Sequence, residues 1–273
     1  MPDPAGPLLA DSVTKLGPEA AGRVVVSGSH GGVYAAALAC RSGCRAVILH
    51  DAGVGLGEAG IGGLGWLEAE GMAAASVDHA SAAIGQAGEM LAQGRISHAN
   101  AQARACGVRP GMSCTEAARR LEAAPLHDGA CPEVSEAREV LRPTGARRAL
   151  VLVDSASLVR AEDAGQVVVT GSHGAVFGDD PRNALKADAF LALFNDAGGG
   201  TGTGRLAALE ARGVAAATVA AKSARIGEAR STWQDGIVSA ANAPARALGA
   251  QCGAPARALI DRALRAPARP GVT

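Results

Sequence analysis

The sequence predicts an α/β protein of two tandem homologous units, each a parallel β-sheet with right-handed βαβ crossovers, related by a pseudo-two-fold axis. Two observations carry the prediction. A long ordered pattern of residues occurs twice. Within each occurrence, short apolar runs alternate with alanine- and leucine-bearing stretches of helical spacing, the rhythm of a parallel sheet with crossover helices.

The duplication is read first, because a missed repeat misplaces every later element. Asp11-Ser12 and the run Gly22 to Gly31 (GRVVVSGSHG) answer Asp154-Ser155 and the run Gly165 to Gly174 (GQVVVTGSHG). His50-Asp51-Ala52-Gly53 answers Asn195-Asp196-Ala197-Gly198. Ser81, Ile84-Gly85, Gly94, Ser97, Asn100 and Gly107 answer Ser223, Ile226-Gly227, Gly236, Ser239, Asn242 and Gly249. The offset stays near 143 positions throughout. The repeats are placed at 1–124 and 149–265. A Pro-, Gly- and charge-rich linker at 125–148 joins them, with a short helix expected over Val134–Leu141. A flexible tail at 266–273 follows.

Each repeat opens with a β-branched run, Val24–Val26 or Val167–Val169. Gly32–Ser42 reads as a helix. In the second copy Asp179-Asp180-Pro181 interrupts that helix or starts a shortened one. Ala46–Leu49 and Phe190–Phe194 are second strands. Ile61–Glu70 is helical, with Leu64 and Leu67 three apart. Ala73–Val77 and Val214–Val219 are third strands, and Ser97–Cys106 reads as helix. The alanines of Gly32–Ala39, and of Ala215–Ala221 read as a helix, suit close subunit packing, so a homo-oligomer is expected.

Bulk properties exclude several classes. With 26 basic and 26 acidic residues, nothing draws the chain to nucleic acid or an anionic membrane. Two Trp, one Tyr and three Phe leave little for base stacking. No apolar run is long enough to span a bilayer. Met1–Ala10 lacks the basic start and apolar stretch of a secretory signal. The six cysteines show no disulfide framework, and Cys40 and Cys44 share one helical segment where a bridge is awkward. A cytoplasmic location is the expectation.

In open parallel sheets, ligands bind beyond the carboxyl ends of the strands. The repeated polar residues fall there: Ser29-His30 and Ser172-His173 after the first strand, Asp51 and Asp196 after the second. Ser81 and the segment Lys222 to Arg225 follow the third. Small residues around Ser29 and Ser172 fit a loose nucleophile elbow. Alternatively His30 or His173 is a general base, oriented by Asp51 or Asp196. Turn formation and helix capping are the plain alternatives for the same residues. The layout of a strand ending in His-Gly followed by one ending in a reactive group resembles caspase-like peptidases. That family requires a cysteine where Asp51 and Asp196 stand, so the peptidase reading fails.

The copies differ where chemistry is expected. Lys222, Arg225 and Glu228 replace Ala80, Ala83 and Gln86. His50, His79 and His98 are replaced by Asn195, Ala221 and Ala240. The cations suit an anionic substrate. The run Gly55 to Gly60 matches GxGxxG, but it follows the second strand and lies beside an aspartate that repels pyrophosphate, so no nucleotide cofactor is expected. The leading expectation is therefore a metal-independent hydrolase or acid–base enzyme for a small polar anion. His173 would be base, Asp196 its partner and Ser172 a nucleophile. Lys222, Arg225, Ser223, Gly198, Gly53 and Ser81 would bind substrate, with His30, Asp51 and Ser29 as counterparts in copy one. The alternatives are a metal-dependent hydrolase or lyase centred on His30 and Asp51, with His50 and His79 nearby, and a non-catalytic binding or scaffold protein.

Overall fold

The computed structural model describes residues 6–176, 180–198 and 202–267. The chain divides into two compact units. Unit one is residues 1–135 with 198–201, and unit two is 136–197 with 202–273. The described residues form one sheet of five strands, one of six, and nine α-helices.

In unit one the strands are β1 (Leu8–Ala10), β2 (Val24–His30), β3 (Ala46–His50), β4 (Ala73–Val77) and β5 (Ile96–Ala99). They lie in chain order, the first four parallel and β5 antiparallel to β4. The helices are α1 (Val33–Arg41), α2 (Gly62–Ala69), α3 (Ala87–Gln93), α4 (Ala101–Ala105) and α5 (Cys114–Leu121).

A strand shows alternate residues to opposite faces, and here both faces are apolar. Val24, Val26, Ile48, Ala75 and Val77 pack with Met90 of α3 and Ala117 and Leu121 of α5. Val25, Val47, Leu49 and Ala74 pack with Ala36, Ala39 and Cys40 of α1 and Leu64 and Leu67 of α2. Continuous valine and alanine runs are thus what a sheet covered on both sides requires. Small alanines let α1 lie close to the strands.

Unit two is built from β6 (Arg138–Leu141), β7 (Leu150–Val153), β8 (Val167–His173), β9 (Leu191–Asn195), β10 (Ala215–Val219) and β11 (Val238–Ala241). β7 to β10 are parallel, and the edge strands β6 and β11 are antiparallel. Its helices are α6 (Gly204–Ala211), α7 (Ala229–Gln234), α8 (Ala243–Ala247) and α9 (Ala256–Arg265). Leu152, Val169, Leu193 and Ala217 face Leu259, Ile260 and Ala263 of α9. Val151, Val168, Phe194 and Ala216 face Leu206 and Leu209 of α6.

Several elements differ from expectation. Ala215–Val219 is the third strand of the repeat, as the apolar run predicted, and the separate reading of Ala215–Ala221 as a helix is corrected: five buried residues between two strands outweigh alanine's helical preference. The stretch from Ser97 begins in β5 and becomes helix only after Asn100, whose Oδ1 caps α4 at Ala103 N. The linker forms β6 rather than a helix, held by the buried pair Arg138–Asp163 at 2.8 Å. After β8 a 3-10 turn, Pro181–Ala184, stands where unit one has α1. Asp179 and most of the tail lie outside the described residues. Cys40 and Cys131, 91 positions apart, form a disulfide, which corrects the reading of six unpaired cysteines. Among the described residues no helix is long and apolar enough to cross a membrane.

Candidate functional site

The Ser-His segments belong to the strands. β2 runs through Ser29 to His30 and β8 through Ser172 to His173, each with a register irregularity in its second half. Neither serine stands on a sharp strand-to-helix elbow, which corrects that expectation. Ser29 Oγ accepts a hydrogen bond from Val13 N at 3.0 Å, and Ser172 Oγ accepts one from Ala156 N at 2.8 Å. Each thereby anchors the 3-10 turn that follows the neighbouring parallel strand, Val13–Lys15 after β1 or Ala156–Leu158 after β7.

Gly28, between the serines, serves close approach. Gly85 N donates to Gly28 O at 2.9 Å, and a Cβ on Gly28 would stand 2.7 Å from the Gly85 backbone. The loop after β4 therefore lies directly against β2. In unit two Gly227 N meets Gly171 O at 2.7 Å.

The histidines of these segments turn inward. His30 Nδ1 accepts from Gly32 N at 3.1 Å, and His173 Nδ1 accepts from Ala175 N at 3.3 Å. A ring nitrogen that accepts carries no proton, so neither ring can present Nδ1–H to an orienting carboxylate. Burial, reinforced by the neighbouring His50, pushes the His30 imidazole down to about 4. Asp196 Oδ1 accepts from Ala221 N at 2.8 Å, so the described bonds give His173 and Asp196 different partners.

His50 is fully buried at the end of β3. Its Nδ1 accepts from Ala52 N at 3.0 Å, which leaves the proton on Nε2 for Ala82 O, also at 3.0 Å. Burial lowers its pKa. Asn195 meets the same need at the end of β9, with Oδ1 accepting from Ala197 N and Nδ2 donating to Ala224 O, both at 2.9 Å. Ser81 and Ser223 are also turn-formers. Each hydroxyl donates to a carbonyl three residues back (Asp78, Ala220) and accepts from a later amide (Arg95, Ile237). Lys222 and Arg225 are exposed on unit two, and Arg225 lies 3.5 Å from Glu228. Gly53 and Gly198 both have positive φ, at 74° and 97°.

The residues that do converge are Asp51, Asp78 and His79 in unit one. Asp51 follows β3, and Asp78 and His79 follow β4, so adjacent parallel strands deliver them side by side. The buried Asp51 Oδ1 accepts from Gly53 N at 2.8 Å and His79 N at 3.0 Å. His79 Nδ1 lies 3.2 Å from that same oxygen and 3.3 Å from Asp78 Oδ1. The imidazole is 40% exposed while the Asp51 side chain is 3% exposed. His79 Nδ1 thus faces both carboxylates, and Nε2 is the nitrogen left for chemistry. The three side chains could also hold a cation, since one ligand atom from each lies within 4.8 Å of the others.

The chain beside Asp51 is strained. Ala52, Val54 and Glu58 have φ between 54° and 64°, a left-handed conformation that a β-branched valine rarely adopts. Such strain costs of order 1–3 kcal/mol per residue and concentrates at functional sites. Residues 199–201 of the corresponding segment in unit two lie outside the described residues.

The sequence grouped Asp51 with His79 only in the metal-dependent alternative, beside His30 and His50, and left Asp78 out. The adjacency of β3 and β4 was the signal that could have added it. Sequence reasoning also missed a pocket of about 410 Å³ in unit two, at the opposite ends of the strands, lined by Arg147, Arg148, Gln166, Phe190 and Arg212. Two of its cations are engaged. Arg212 pairs with Asp188 at 2.6 Å, and Arg148 lies 3.4 Å from the Phe190 ring centre.

No protein-family profile, curated protein or solved structure matches this chain. The functional reading rests on the geometry alone.

Proposed function

We propose that the chain is a small-molecule enzyme working by acid–base catalysis, in the hydrolase class, and that unit one carries the reacting groups. The observation that supports this is the exposed His79 with Nδ1 3.2 Å from the buried Asp51 carboxylate. In this reading Asp51 orients the ring and stabilises the imidazolium, and Nε2 takes the proton from water or substrate. The substrate is a small polar anion; Lys222 and Arg225 are exposed cations of unit two and are given no part in the unit-one site. Unit two has Ala221 at the position of His79, so the chemistry moves away from His173, Ser172 and Asp196. The proposal retains two homologous halves in a homo-oligomer, the assembly to be read by light scattering; the Cys40–Cys131 disulfide withdraws the cysteine argument for a cytoplasmic location.

The test is a panel of small carboxylate-bearing esters, amides and lactones, assayed with the wild-type chain, His79→Gln and His173→Ala. The expected result is turnover that depends on His79 and survives His173→Ala. Activity lost in His173→Ala and retained in His79→Gln would overturn the assignment to unit one.

A second reading has its own observation. Asp51, Asp78 and His79 offer three ligand atoms close together, a donor set suited to a divalent cation in a metal-dependent hydrolase or lyase. His30, first taken as the centre of that reading, has Nδ1 engaged by Gly32 N. Elemental analysis of the purified chain, with activity measured before and after chelation, separates the two readings.

A further inference from the structure

We propose that Cys40, Cys131 and His127 form a thiol-gated site for a soft divalent cation, zinc by ligand type. It is closed by the disulfide in the oxidised chain and open to metal when the disulfide is reduced. The proposal does not rest on the chemistry assigned to Asp51 and His79.

Two independent observations converge on the site. The first is proximity. The two sulfurs and one ring nitrogen of His127 all lie within 4.8 Å of one another. Cys40 sits in the last turn of α1, buried to 3% exposure. His127 and Cys131 belong to the segment after α5 that reaches back to that turn. The second is an unmet bond. His127 Nε2 is buried with no hydrogen-bond partner. Buried polar atoms are nearly always matched, and one that is not calls for an explanation such as a missing ion. The nearby Cys44 is excluded as a ligand. Its thiol donates to Ala39 O at 3.3 Å, and burial pushes it up to about 12.

The donor set is chemically consistent. Two thiolates and an imidazole are zinc ligands, and a water can complete the tetrahedron. With Zn–S near 2.3 Å, tetrahedral sulfurs stand about 3.8 Å apart. The two Cα atoms are 6.0 Å apart, so the sulfurs can separate by side-chain rotation. The redox step balances with a dithiol as reductant. Its thiolate attacks one sulfur, and exchange through a mixed disulfide leaves thiols on Cys40 and Cys131. The reductant closes its own disulfide, having given two electrons and two protons. Metal binding then releases both thiol protons to solvent.

The experiment uses the full chain, reduced with dithiothreitol, desalted without oxygen and titrated with Co(II). One equivalent should produce a thiolate-to-cobalt charge-transfer band and tetrahedral d–d bands, both lost on adding Zn(II). The oxidised chain should show neither. His127→Gln and Cys131→Ser lie in a surface segment outside the helices and strands. Each should weaken binding by at least about 10–100-fold, the loss typical even of groups one step removed from a metal. Circular dichroism of both variants checks that they fold. No thiolate band in the reduced chain, or unchanged Co(II) affinity and spectrum in folded His127→Gln, overturns the proposal. Binding without a thiolate band assigns the metal to carboxylate and imidazole ligands and likewise overturns it.

Discussion

In unit one β3 ends on His50, and in unit two β9 ends on Asn195. Both side chains accept from the backbone amide two residues on and donate to a carbonyl in the loop after the next strand. The geometric task is the same, but the electrostatic result is not. Asn195 cannot titrate. His50 can, and its presence helps to hold His30 down to about 4. One position further, Asp51 and Asp196 both accept an amide from the loop after the neighbouring strand, and Asp51 also faces the imidazole of His79 where unit two has Ala221. Backbone scaffolding has been kept in both units, while five of the six histidines lie in unit one. The repeated Ser29, His30 and Asp51 and their counterparts Ser172, His173 and Asp196 all take up backbone hydrogen bonds, and among them Asp51 meets in addition a residue that differs between the copies, His79. The residues that differ carry more information.

That comparison can be broken at several points. The largest expected effect is on turnover. His79→Gln should lower it by roughly 10²–10⁴-fold with little movement of the melting temperature. Ala221→His in unit two, which creates the matching ring, should leave the rate unchanged. A smaller rate effect at His79 than at His173 would reverse the assignment.

Next in size is His50. Replacing it by alanine strands the amide of Ala52 and the carbonyl of Ala82, and should cost about 2–4 kcal/mol in chemical denaturation. His50→Asn, which copies unit two, should cost less than about 1.5 kcal/mol. Equal losses in both variants would show that the hydrogen bonds are not what His50 contributes.

Acid should unfold unit one through the same histidines. Folded His30 resists protonation down to about 4, whereas the unfolded ring accepts a proton near 6.5. Stability present above pH 6.5 is thus lost as the pH falls from there towards 4. His50→Asn should narrow that loss, because one of two depressed imidazoles is gone. Denaturation midpoints across this range give the answer.

The smallest effect belongs to unit two. Burial, with Asp154 adding, raises the Glu136 carboxyl to about 7. Its folded pKa lies above the unfolded value of 4.5, so stability is lost as the pH rises from there to about 7 and the loss is complete above. Glu136→Gln should raise the unfolding midpoint above pH 7 by an amount equivalent to about 1 kcal/mol or less, since the group is partly open to water. No gain there would remove Glu136 from the account.

Much of the architecture was legible because it is local. Val24–Val26, Ala46–Leu49 and Val167–Val169 are runs that only a doubly covered sheet accommodates, and all are strands. The errors came where local and tertiary preferences conflict. Ala215–Ala217 reads both ways, as part of strand Val214–Val219 and as part of a helix to Ala221, and its slot between two strands decides for the first. Ile96–Ala99 is short and polar, and a helix follows almost at once. β6 carries Arg138 and Glu139, charges that suit an edge strand as well as a helix. At the site, the sequence pattern located the rim but not the bonds on it. Nothing local shows that Ser29 anchors a turn at Val13, or that Cys40 meets Cys131.

The Cys40–Cys131 bond also decides how the chain carries load. A pull on its two ends passes through that covalent link and bypasses everything between, a stretch that holds β3, β4, β5 and four helices. While the bond stands, this stretch cannot be drawn out however far the rest of unit one is unravelled. Breaking it releases roughly 300 Å of extra contour length, at about 3.4 Å for each of the 91 positions enclosed. The redox state of a single pair thus sets whether most of unit one behaves under tension as a closed knot of fixed size or as a thread.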